Sequence, residues 1–105
     1  MKRVVITGAG TINALGHTVN ETFEAMREGR CGIAPVTFPD VERLSIQIGG
    51  QVRNFTPEDV FNRQQLVLYD RFTQFSLLAA KEALEQSGLV FTGELAATSG
   101  VVLGT

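Results

Sequence analysis

The first apolar pattern of the chain is a run of three β-branched residues that follows Arg3 and ends at Thr7. Consecutive rather than alternating apolar positions are typical of a strand that is buried on both faces. Gly8 and Gly10 come directly after the run, where they favour a turn. The pattern therefore predicts a buried strand over residues 3–7.

Apolar residues at helical spacing indicate two helices. The first is predicted over residues 19–28, where Thr18 and Glu21 have the spacing of a capping box. The second is predicted to begin after its N-cap Asp70 and to end at Gly88, with an apolar stripe along one side. These two helices are the strongest local signals in the chain.

Turn residues and short apolar runs define the other segments. In chain order we predict a loop (32–41), a strand bent at its glycines (46–52), short helical turns (60–68), a linker (92–99) and a second buried strand (100–104). The order strand, helix, strand, helix, strand favours an α/β layered domain with crossover helices. Because the chain closes on a buried strand with no helix to cover it, we expect a piece of a larger domain.

Composition narrows the classes of partner. With 105 residues, 44% hydrophobic and 19% charged, the sequence is typical of one small domain that folds in water. A net charge of -2 provides neither a basic field for nucleic acid nor a polybasic patch for a membrane surface. The early apolar run is too short for a signal peptide, so we expect a cytoplasmic location. Cys31 is the single cysteine, which excludes an intrachain disulfide and a cysteine-rich metal site.

A strand that runs into Gly8 and Gly10 is also how nucleotide-binding turns begin, but the spacing argues against that function. The dinucleotide fingerprint requires a small residue where Asn13 stands, and a helix that begins at the glycines rather than after Thr18. The acidic residue expected after the second strand is replaced by Arg53. We therefore interpret the glycines as a tight turn that leaves a buried strand.

Six motifs follow one another along the chain: Val4-Val5-Ile6-Thr7-Gly8-Ala9-Gly10, Ala14-Leu15-Gly16, Gly29-Arg30-Cys31-Gly32-Ile33, Gly50-Gln51-Val52, Tyr69-Asp70-Arg71-Phe72-Thr73-Gln74-Phe75 and Gly100-Val101-Val102-Leu103-Gly104-Thr105. In this order and spacing the chain resembles the opening of the type II, elongating 3-oxoacyl-acyl-carrier-protein synthases, the beta-ketoacyl synthases. The resemblance covers essentially all 105 residues and depends on no single motif.

The resemblance implies a thiolase-like fold in a homodimer, in which residues 1–105 are the N-terminal part of the first of two related layered halves. In this family an active-site Cys accepts an acyl group from its carrier protein, and two His residues assist decarboxylation of the malonyl carrier. These three residues are expected beyond the present sequence, so no catalytic residue is expected within it. The implied partners are an acyl-carrier protein and acyl or malonyl thioesters, and no cofactor or metal is implied.

The single cysteine and the single histidine do not satisfy the geometry of a catalytic pair. Cys31 follows the C-terminal end of the first predicted helix, where the helix dipole disfavours a thiolate. His17 precedes the other end, and about ten helical residues at ~1.5 Å each separate the two by about 15 Å. We expect Cys31 to be a small loop residue and His17 to be solvent-facing or adjacent to the helix cap. Glu82 and Glu85 are expected to be solvated charges on the second helix.

The family resemblance also implies Lys and Arg on the short helix before Asp70, as a dock for the acidic carrier protein. Here Arg63 is the one cation, and it is followed by three aliphatic residues at 66–68. Arg63 is therefore the candidate carrier contact. Either the carrier contact is weaker or differently placed, or the three aliphatic residues are buried in the whole protein or under a second subunit. We favour burial, because adjacent exposed aliphatic residues promote aggregation.

Two classes of function remain open from the sequence. In the first, these residues are scaffold in an enzyme that elongates acyl chains by decarboxylative Claisen condensation, in fatty-acid or polyketide synthesis. In the second, the chain is a structural domain or part of a synthase-like subunit without the catalytic Cys. The downstream residues, rather than these, separate the two.

Overall fold

The computed structural model describes residues 1–104, and Thr105, the last residue of the sixth motif, lies outside them. The elements in chain order are α1 (Val19–Arg27), β1 (Ala34–Pro35), a 3₁₀ turn (Val41–Arg43), β2 (Ile48–Gly49), a second 3₁₀ turn (Pro57–Asp59), α2 (Arg63–Leu68), α3 (Arg71–Ser87) and α4 (Gly93–Thr98). The described chain is therefore mainly helical with one small sheet. No helix within residues 1–104 is both long enough and apolar enough to cross a bilayer.

The two predicted helices are confirmed to within a residue at each end. At α1 the Thr18 hydroxyl accepts a hydrogen bond from the Glu21 backbone N–H at 3.1 Å. The Glu21 carboxylate accepts from the His17 N–H at 2.7 Å rather than from Thr18, so the predicted capping box is only half formed. At α3, Asp70 is the N-cap but its side chain makes no capping bond, and Gly88 ends the helix at φ 64°.

The two predicted buried strands are wrong in this structure. Residues 3–7 and 100–104 belong to no ladder, and Val4, Ile6 and Val101 are 96%, 92% and 93% exposed. A strand needs the N–H and C=O groups of a neighbour, and no described residue supplies a neighbour to either segment. The predicted order strand, helix, strand, helix, strand is therefore not observed.

The sheet instead consists of β1 and β2, which pair antiparallel with Ala34 opposite Gly49 and Pro35 opposite Ile48. β1 lies inside the segment predicted as a loop, and the strand predicted over residues 46–52 is confirmed only at β2. Proline is compatible with β1 because a strand with one neighbour leaves a row of backbone N–H groups unpaired. The sequence therefore located a strand but not its partner.

The predicted helical turns over residues 60–68 are confirmed at α2, which covers Arg63–Leu68. The side chains of Asn62 and Gln65 form a complete capping box, with each side chain accepting from the other residue's backbone N–H at 2.9 Å. The predicted linker is wrong over Gly93–Thr98, which forms α4. That helix has only six residues and no side-chain cap, so it carried little local signal.

The loop before α1 lies along α3, and we call this contact the α3 seam. It comprises residues 8–18 of the loop, Val19 at the start of α1, and the side of α3 that carries Ala79, Glu82, Ala83 and Gln86. A Cβ added at Gly8 would overlap the carbonyl oxygen of Ala83, and one added at Gly10 would overlap that of Ala79. The two glycines therefore permit the loop backbone to approach the helix backbone.

Side chains of α3 satisfy the loop backbone along the α3 seam. The Glu82 carboxylate accepts from the Thr11 N–H at 2.9 Å and from the Val19 N–H at 2.8 Å, and the Gln86 side-chain oxygen accepts from the Ala9 N–H at 2.6 Å. The expectation that Glu82 is a solvated charge is therefore wrong. The expectation for Glu85 is confirmed, since its exposed carboxylate lies 3.8 Å from the exposed Lys81 ammonium.

The hydrophobic core of the described chain is small. Ala25 and Phe61 are its buried apolar residues, and Gln74 is its one buried polar residue. The radius of gyration is 17.0 Å, whereas a compact domain of this length has about 13 Å. The described residues therefore form an open layer whose apolar surface is largely uncovered.

Candidate functional site

Cys31 lies in the loop after α1, where the structure leaves its thiol exposed. The Ile33 N–H points at Sγ at 3.4 Å, and Sγ lies 3.8 Å from the Ile33 carbonyl oxygen. Arg30, the nearest cation in sequence, pairs its guanidinium with Glu28 at 2.7 Å. Cys31 is thus a loop residue, as expected, and none of these contacts activates its thiol.

His17 lies directly before the N-cap of α1 and is partly buried. Its Nε2 is 2.7 Å from the Arg53 carbonyl oxygen, which only accepts, so Nε2 carries a proton. The imidazole also meets the Phe55 ring edge to face, with centroids 6.2 Å apart. The expected position next to the cap is confirmed, and the ring is held by structural contacts.

Cys31 and His17 both line a cavity of about 530 Å³, although no hydrogen bond joins them. A nucleophile and its base must be within hydrogen-bond reach, and here each side chain has a different partner. The shared cavity was not anticipated from the length of α1. It arises because the segment around Arg53 bridges the two ends of the helix.

Arg53 is a residue whose role the sequence analysis missed. Its guanidinium donates to four carbonyl oxygens at 3.1–3.4 Å, which belong to Gly32, Pro35, Gly49 and Gln51. The five N–H groups of a guanidinium form a rigid fork that suits several acceptors at once. Arg53 therefore holds the small sheet and the loop that carries Cys31. The sequence signal that could have identified this role was an arginine directly after a predicted strand.

A second arginine is stacked on aromatic rings. The Arg71 guanidinium lies 5.1 Å from the Phe55 centroid and 5.2 Å from the Phe75 centroid. The two rings are themselves 5.4 Å apart at an interplanar angle of 64°. This cation–π cluster fixes the start of α3 against the segment that contacts His17.

The candidate carrier contact Arg63 begins α2, and it shares one side of that helix with three other residues. We call this surface the α2 face; Arg63 and Val67, and Gln64 and Leu68, are each four residues apart on it. The four residues line a shallow cavity of about 490 Å³. Arg63 is exposed, as the candidate role requires.

The burial of the aliphatic residues of α2 was predicted for the whole protein or under a second subunit, and the described chain by itself does not supply it. Val67 and Leu68 are 82% and 76% exposed, and only Leu66 is partly buried. The reason is that α2 contacts little besides the preceding 3₁₀ turn, so nothing within residues 1–104 covers its outer side. Cover by the rest of the protein or by a second subunit stays a prediction.

The charge of the α2 face is set by Arg63 alone. The ion pairs found in residues 1–104 join Arg27 to Glu24, Arg30 to Glu28 and Lys81 to Glu85, and none involves Arg63. Neither α2 nor the first turn of α3 contains an acidic residue. The α2 face is thus an apolar surface with one cation, in a chain whose net charge is -2.

Metal-binding chemistry has no basis in the described residues. Nowhere in residues 1–104 do three or more His, Cys, Asp or Glu side chains come together in a way that would hold an ion. The Glu82 carboxylate is already occupied by backbone N–H groups.

Comparisons with known proteins agree with the family resemblance. The family model described as "Beta-ketoacyl synthase, N-terminal domain" matches residues 1–105. Proteins named 3-oxoacyl-[acyl-carrier-protein] synthase 2 from Staphylococcus aureus and Coxiella burnetii are each 36% identical to this chain over 104 residues, and one from Synechocystis sp. is 35% identical. Each alignment covers 99% of this chain and 25% of the relative. The chain thus spans about a quarter of the length of these relatives.

Proposed function

The chain belongs to the beta-ketoacyl synthase family through its N-terminal domain, and from that membership we propose that the whole protein is an acyl-chain-elongating condensing enzyme. The proposed reaction joins an acyl thioester to malonyl-acyl-carrier protein, with loss of CO₂, in fatty-acid or polyketide synthesis. The observation that carries the proposal is the match over the whole chain, together with 36% identity to proteins named as 3-oxoacyl-[acyl-carrier-protein] synthases.

In this proposal residues 1–105 are scaffold, and the acyl-accepting Cys and the two His residues lie in other parts of the protein. The geometry of Cys31 and His17 supports this assignment, because each is held by contacts unrelated to the other. The proposal also includes the thiolase-like layered fold. The exposed apolar residues within 4–6 and 101–103 support it, because uncovered runs of this kind normally pack against further layers.

The proposed partners are an acyl-carrier protein, acyl and malonyl thioesters, and a second copy of the protein in a homodimer. Arg63 is the proposed carrier contact, and its exposure and lack of a described ion-pair partner support that role. A cytoplasmic location is part of the same proposal. No nucleic-acid partner is proposed, because a net charge of -2 provides no basic field.

The deciding experiment supplies the full-length protein with an acyl thioester of the carrier protein and with malonyl-acyl-carrier protein, and measures elongation of the acyl chain. Intact-protein mass spectrometry detects the acyl-enzyme. We expect an elongated 3-oxoacyl product, and an acyl adduct that forms equally well in the Cys31→Ser variant. Loss of the adduct in Cys31→Ser would show that the catalytic thiol was assigned to the wrong part of the protein. Absence of both adduct and product would favour the non-catalytic subunit instead.

A further inference from the structure

We draw no further inference here: the strongest candidate, the cavity of about 530 Å³ beside α1 that Cys31 and His17 both line, rests on a lone exposed cysteine, and no second feature of residues 1–104 points to a ligand there.

Discussion

The α3 seam and the α2 face differ in whether their groups have partners within the described chain. Along the α3 seam, loop N–H groups have side-chain acceptors and glycines allow close approach of two backbones. On the α2 face, two aliphatic side chains and a cation have no partner among residues 1–104. The groups of the first region have their partners within the described chain, whereas those of the second have none within residues 1–104.

The difference shows which substitutions should affect folding and which should affect binding. Where a contact is internal and its groups are desolvated, removing one member leaves the other unsatisfied. Where a side chain is exposed in the chain, its replacement changes little until a partner arrives. Three single variants and one double variant test this separation, and for each the free energy of unfolding in urea is measured.

The largest effect is expected for Gly10→Ala in the α3 seam. Its Cβ would overlap the Ala79 carbonyl oxygen, so the loop must move away from α3, at a cost of about 3 kcal/mol. Gly50→Ala is the control, because its Cβ would lie at ordinary contact distances of 3.6 Å and 3.7 Å from its nearest neighbours. We expect that control to stay within about 0.5 kcal/mol of the wild type. Equal effects at both glycines would show that the loop is not bound to α3.

Glu82→Gln should destabilise the protein by about 2 kcal/mol, because an amide replaces a carboxylate that accepts from two backbone N–H groups. The NH₂ group of the amide is a donor, and it would face one of these two backbone N–H groups, which is also a donor. Glu85→Gln, one turn further along α3, is the matched control and should cost less than about 0.5 kcal/mol, since it removes only an exposed pair with Lys81. If Glu82→Gln leaves the free energy of unfolding unchanged, the Glu82 carboxylate is solvated rather than bound to the loop.

Arg53→Lys is expected to cost about 1 kcal/mol, because a single ammonium cannot reach the four carbonyl oxygens that the guanidinium fork reaches. Arg63→Lys on the α2 face is the control, and its stability should be unchanged since Arg63 has no described partner. If both substitutions have the same effect, Arg53 is not the internal cation that the structure indicates.

The smallest effect is expected for the α2 face itself. The double variant Val67→Ser, Leu68→Ser should change the free energy of unfolding by no more than about 0.5 kcal/mol, because both side chains are mostly exposed. A loss of several kcal/mol in the full-length protein would show that other parts of the protein cover these residues. Burial within the whole protein, which we favoured from the sequence, would then be the correct alternative.

The features that the sequence predicted correctly depend on a few neighbouring residues. α1 was located from the spacing of Thr18 and Glu21, and α3 from its apolar stripe and the stop at Gly88. The rejection of Cys31 and His17 as a catalytic pair, which stays a prediction, also needed only their positions at the two ends of one helix. The observed contacts, which hold the two residues separately, agree with that rejection.

The features that the sequence missed depend on residues far apart in the chain. Glu82 was interpreted as a solvated charge because the backbone N–H groups that donate to its carboxylate, at Thr11 and Val19, lie 71 and 63 residues away in the sequence. Arg53 was considered only because it stands where a dinucleotide-binding fold would have an acidic residue. Its structural role was missed because its contact with Gly32 spans 21 residues. The predicted strand over residues 3–7 has the right composition, but no described strand lies beside it.

The sequence by itself determined the family and the helices α1 and α3, because capping, periodicity and motif order are local properties of the chain. The tertiary structure decided which polar groups are used internally and which surfaces are left open. The Glu82 carboxylate binds loop N–H groups because the loop folds back onto α3. Val67 and Leu68 are exposed because no segment within residues 1–104 covers the outer side of α2. The physical reason is that hydrogen bonding and burial are set by distance in space, which the spacing of residues along the chain does not specify.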